Sequence, residues 1–215
     1  MAAGPKRYLG VIPALAVVVL YAAGVQSPSL SASTVVSAPY SLLTYTVSHA
    51  GWLHAGANAA MLLIAAEAAI RLGGAARAAL VALAAAVAAG LIFCAATAAL
   101  NPDATLEGAS AVALALAAYD TTLMRARIPI YLLGLLAVAM IFGPNAGGGL
   151  AHCAGFAVGL AFASVHNRRS ERLRAHMLAE RDRIRRKAED SGYASLTPGE
   201  RNLLHTPILK ENVIK

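Results

Sequence analysis

The sequence predicts an all-α fold, a polytopic membrane protein with six transmembrane helices and a cytoplasmic helical tail. Three observations carry this. Of the 215 residues 58% are hydrophobic and only 13% charged, whereas a soluble domain carries about a quarter charged residues. The apolar residues fall into six runs, most of them near the roughly 17 to 25 residues that cross a bilayer. All 18 lysines and arginines fall on one side of those runs.

The first run covers 8–25 and follows Lys6 and Arg7. It is too long for a signal-peptide core and lacks a clear small-residue cleavage site, so it reads as a retained helix. The next runs cover 52–71, 76–99, 109–124, 128–143 and 150–167. The fourth and fifth are short, which suits helices that begin below the surface against protein rather than lipid. Arg71 and Arg77 flank the turn between the second and third, Arg125 and Arg127 follow the fourth, and Arg168 and Arg169 follow the sixth. The opposite loops, 26–48, 100–108 and 144–149, hold no lysine or arginine. The positive-inside rule then puts both termini in the cytoplasm. Glu67 lies one turn before Arg71, the spacing of an ion pair near the interface.

Two domains follow: a membrane domain over 1–167 and a basic cytoplasmic tail over 168–215. The net charge of +7 resides mostly in that tail. It reads as juxtamembrane anchoring against anionic lipid, with no nucleic-acid partner. Residues 168–190 read as a basic helix with Leu173, Met177, Ile184 and Ala188 as a loose apolar stripe. Ser191 and Gly192 stop it. Thr197, Pro198 and Glu200 form a capping-box start for a short helix through Leu204. The tail is expected to be a helical hairpin that docks a partner or a segment that anchors to the lipid surface. Cys94 and Cys153 show neither a disulfide framework nor metal spacing, and read as packing residues.

Polar groups at membrane depth are costly, and each is a functional hypothesis. His49, Trp52, His54 and Asn58 open the second run; Gly108, Ala109 and Ser110 open the fourth; His152, Gly155 and Gly159 open the sixth. These three runs all enter from the outer face, so their starts share one depth. A serine there is a weak nucleophile until a base takes its proton, which a neutral histidine supplies. No third acid is evident near His152, so the pair is expected to act as a dyad. The Ser110 N–H at a helix N-terminus, together with His54 and Asn58, are the candidate oxyanion donors. Gly155 and Gly159 are expected to bring the sixth helix against the alanine face of the fourth. Asp103 and Glu107 read as surface groups. No HExxH is present, and no metal or other cofactor is expected.

These residues resemble three blocks of the rhomboid intramembrane serine proteases, over roughly 40–167. His49, His54 and Asn58 are similar to the HxxxxHxxxN block. Gly108, Ser110 and Ala111 are similar to GxSG. Ala151, His152, Gly155 and Gly159 are similar to AHxxGxxxG. The resemblance implies Ser110 as nucleophile, His152 as general base, His54 and Asn58 as oxyanion stabilisers, and a transmembrane protein as substrate. It also implies a mobile cap over 143–149, whose glycine run supplies freedom. Ala111 stands where the family has Gly, and Leu114 where many members have Tyr. The loop after the first run lacks the family's frequent Trp-Arg pair. Residues 191–201 resemble a tail of some bacterial rhomboids, which implies a bacterial inner membrane.

Two other functions stand beside proteolysis. A catalytically inactive rhomboid-like protein would bind transmembrane helices without cutting them. A transporter would need polar residues along a path across the bilayer, whereas here they gather at one depth.

Overall fold

The structure is a computed structural model that describes residues 9–206, except 26, 28, 126, 128, 130–133 and 135–145. The chain divides into two compact units, Met1–Ala163 and Ser164–Lys215.

In the first unit α1 covers Val11–Ala22 and a short α2 covers Ser41–Thr44, followed by a 3-10 turn at Tyr45–Val47. Then come α3 over Trp52–Gly73, α4 over Ala75–Thr97 and α5 over Ser110–Leu123. A long helix, α6, begins at Ala146 and ends at Ser191. The described residues are thus largely helical. Three of these helices, α3, α4 and α6, are long and apolar enough to cross a membrane, and α1 and α5 are shorter apolar helices. The expected fifth span, 128–143, lies outside the described residues save positions 129 and 134.

Small residues decide how the helices meet. On α3 the buried positions are Ala55, Asn58, Ala59, Leu62, Ala65, Ala66 and Ala69, a stripe at helical spacing. Leu53 and Ile64 on the same helix are exposed, as lipid-facing residues are. α3 packs against α1, α4 and α5. α5 is apolar on every side: Ala111 through Leu116, Ala118 and Tyr119 are all buried. At 14 residues it is about 21 Å long at 1.5 Å per residue, short for a bilayer. The turn between α3 and α4 is a single residue, Gly74, at φ 83°, a left-handed conformation that glycine adopts without penalty.

The Glu67–Arg71 ion pair forms at 2.8 Å. Glu67 does more than the i,i+4 spacing suggests: its second oxygen accepts the Gly10 N–H at 3.1 Å. That carboxylate therefore satisfies one of the free amide donors at the start of α1.

One expectation is corrected. The glycine run Gly147, Gly148 and Gly149 is the first turn of α6, not a mobile loop; residues 143–145 of the expected cap lie outside the described residues. The reason is packing: a methyl on Gly147 would come within about 3.0 Å of Phe93 and Thr97 on α4. The helix of the sixth run continues without a break into the basic stretch after 167. No glycine or proline interrupts the chain between Gly159 and Ser191, so the change at 168 is one of polarity and not of helix propensity.

In the second unit α6 stops at Gly192, φ 83°, and α7 covers Pro198–His205 with the capping box of Thr197 and Glu200 in place. Ile184 and Leu196 are buried. Lys187 Nζ donates to both oxygens of Glu200 at 3.0 and 2.9 Å, and Arg181 donates to the Leu204 carbonyl at 2.9 Å, capping α7.

Candidate active site

Ser110 is the first residue of α5, at the end of the helix where amide N–H groups point outward unpaired. Its N-cap, Ala109, makes no side-chain cap hydrogen bond. His152 lies near the start of α6. Its Nε2 stands 2.5 Å from Ser110 Oγ, a hydrogen bond across 42 residues of sequence. His152 Nδ1 is buried with no hydrogen-bond partner among the described residues.

The approach of α6 to α5 rests on two glycines. A methyl at Gly155 would overlap the Ala111 carbonyl oxygen, and one at Gly159 would overlap that of Ala115. The backbones touch there, and the Ser110–His152 hydrogen bond lies one turn from the first contact. This is the small-residue contact that the GxxxG spacing leads one to expect.

His54 and Asn58 stand one turn apart at the start of α3. Both face Gly108, where an added methyl would lie 2.8 Å from the His54 ring and 3.5 Å from Asn58 Nδ2. Gly108 also has φ 96°, so two constraints select glycine at that position. Asn58 is buried. It donates one amide hydrogen to the His54 carbonyl at 2.8 Å and retains a second. The structure thus brings Ser110 to His152, and His54 and Asn58 to Gly108, two residues before the serine.

His49 completes this corner. It is buried, bonds the Val47 carbonyl through Nδ1 at 3.1 Å and meets the His54 ring edge-on at 5.1 Å. Tyr21 packs edge-on against Trp52 at 4.8 Å, an aromatic pair of the kind that marks a membrane–water boundary. Among the described residues no group of His, Cys, Asp or Glu could hold a metal ion.

Two of the three departures from the resembled pattern, Ala111 and Leu114, are accommodated by burial. Ala111 is buried in a cluster with Ala89, Phe93, Cys94 and Ala151, and Leu114 is fully buried. Both cysteines are unpaired, and Cys94 packs in the same cluster.

Sequence reasoning missed the segment after α1. Leu30 and Tyr45 are fully buried, Leu30 pairs with Leu106 in an isolated β-bridge, and Tyr45 donates its hydroxyl to the Ala86 carbonyl at 3.1 Å. Glu107 is also no free surface group: it is half-buried and accepts the Ser29 hydroxyl at 2.8 Å. Lone apolar residues among small polar ones gave no periodic signal.

A family model described as Rhomboid domain matches residues 36–169, more than half of the chain. No curated protein matches it.

Proposed function

The chain belongs to the rhomboid family, and on that premise we propose that it is an intramembrane serine endopeptidase that cuts peptide bonds in or near transmembrane segments of membrane proteins. The observation that carries this is the 2.5 Å approach of Ser110 Oγ to His152 Nε2. With the imidazole neutral and its proton on Nδ1, Ser110 donates to Nε2. The histidine takes that proton as the serine attacks the scissile carbonyl, and returns it to the leaving amine. The tetrahedral oxyanion is held by the Ser110 N–H at the positive end of α5, with His54 and Asn58 donating from α3. Family membership alone covers proteases and inactive relatives; retention of both dyad residues at bonding distance favours the protease.

The proposed architecture is six spans over 1–167 with a cytoplasmic tail over 168–215, both termini inside and the site open to the outer face. The one-sided placement of all 18 Lys and Arg supports it, as does the gathering of the polar groups at the starts of α3, α5 and α6. A bacterial inner membrane fits the tail's resemblance. The partners are a transmembrane protein substrate and the bilayer.

The test is a fluorophosphonate probe on the full chain in detergent, with a transmembrane substrate cleaved in parallel. Labelling at Ser110, with cleavage abolished in Ser110→Ala, is expected. Absence of both in the native chain overturns the reading in favour of helix binding without turnover.

A further inference from the structure

The loop that carries the nucleophile has no regular structure from Asn101 to Ala109, and a segment far away in sequence fixes it. Ser33 N–H donates to the Pro102 carbonyl at 3.0 Å, Leu106 N–H to the Leu30 carbonyl at 2.8 Å, and Gly108 N–H to the Tyr45 carbonyl at 3.0 Å. The fourth tie is a side-chain bond, Ser29 Oγ to Glu107 Oε1 at 2.8 Å. The holding segment is itself closed: Ser48 Oγ accepts the Ser27 N–H and donates to the Ser27 carbonyl, each at 3.1 Å, and Ser27 bonds Thr44 through their hydroxyls. Tyr45 is anchored to α4 through Ala86.

Glu107 immediately precedes Gly108, the residue at φ 96° that lies against His54 and Asn58. Rotation about the Gly108 backbone would redirect the amide N–H groups of Ala109 and Ser110. We infer that the Ser29–Glu107 hydrogen bond is a positioning clasp that fixes the orientation of the Gly108–Ser110 backbone, and through it the oxyanion donors. The three backbone ties hold the loop's position. The clasp adds a side-chain tie at Glu107, between the backbone ties at Leu106 and Gly108, next to a positive-φ glycine that has the widest alternative conformational space to lose.

Its kinetic consequence rests on the proteolytic reading; its structural consequence does not. Glu107→Ala is expected to raise amide hydrogen exchange in a peptide spanning 106–111 while leaving α4 unchanged. It is expected to lower kcat on the order of ten-fold with little change in KM, because misplacement of a catalytic group by about 1 Å costs up to about 10²-fold. Glu107→Gln keeps the accepting oxygen and is expected to restore most of both. Ser29→Ala is expected to match Glu107→Ala, and the double variant to be no worse than either. Unchanged exchange at 106–111 in Glu107→Ala overturns the clasp whether or not the native chain cuts substrate. Additive effects of the two single variants, or failure of Gln to rescue, also overturn it. A native chain that neither labels nor cleaves sinks the protease and leaves the exchange arm to decide the clasp.

Discussion

Gly155 lies against the Ala111 carbonyl oxygen so closely that a Cβ at 155 would overlap it. The two residues adjoin the Ser110–His152 hydrogen bond: Gly155 is three residues after His152 and Ala111 is one after Ser110. The closeness of α5 and α6 and the reach of His152 are therefore one fact. Gly155→Ala must push α6 away from α5 or tilt it. Overpacking of this kind costs about 1 to 3 kcal/mol, and loss of the near-attack geometry should lower kcat by about 10²-fold. Gly159→Ala, one turn further from the dyad, should cost similar stability and less activity. Thermal melting and substrate cleavage in parallel separate the two effects, and equal activity losses would detach the dyad geometry from the helix contact.

Asn58 holds one amide hydrogen on its own helix at the His54 carbonyl and keeps the other for the site. If that donor serves the oxyanion, Asn58→Ala should lower kcat by about 10² to 10³-fold with KM little changed, as removal of one oxyanion donor does. Probe labelling of Ser110 should slow in proportion. A fall of less than two-fold would leave Asn58 as a buried helix contact.

The membrane body was legible because its chemistry is periodic. The alanine face of the fourth run, the one-sided arginines, and the order of His54, Ser110 and His152 are all read from spacing and charge. The glycines at 147–149 were misleading, since the same residue serves freedom or closeness and only Phe93 and Thr97 decide which. The segment around Leu30 and Tyr45 was illegible for another reason: its partners Leu106, Gly108 and Ala86 are long-range, and isolated pairings leave no local pattern. Glu107 read as a surface acid because its acceptor role depends on a serine 78 residues away.

Gly108 tolerates no side chain for two separable reasons, its φ of 96° and the His54 ring at 2.8 Å from a notional Cβ. Gly108→Ala combined with His54→Ala removes the second reason alone. If steric contact dominates, the double variant should recover the stability lost in Gly108→Ala; if backbone conformation dominates, it should not. A non-glycine residue in such a conformation costs about 1 to 2 kcal/mol, so stability is expected to recover only in part. Complete recovery in the melting temperature would assign the glycine wholly to the histidine.

Glu200 is held down to a pKa of about 2, first by the Lys187 ammonium and then by the Thr197 N–H. A carboxylate whose folded pKa is depressed stabilises the fold above its unfolded value, about 4.5, and loses that contribution as pH falls through its folded value. The pairing of α7 with the end of α6 should therefore be constant from pH 7 to about pH 5 and weaken progressively from about pH 4.5 towards pH 2. Amide exchange at Leu203 and Leu204 in the full chain reads this directly. Glu200→Gln should loosen the same amides at neutral pH and flatten the acid response, because it removes the charge facing Lys187 while its amide oxygen still accepts the Thr197 N–H. An acid transition that persists unchanged in Glu200→Gln would assign it to Glu180 instead, whose pKa is lowered by its bond to Arg183.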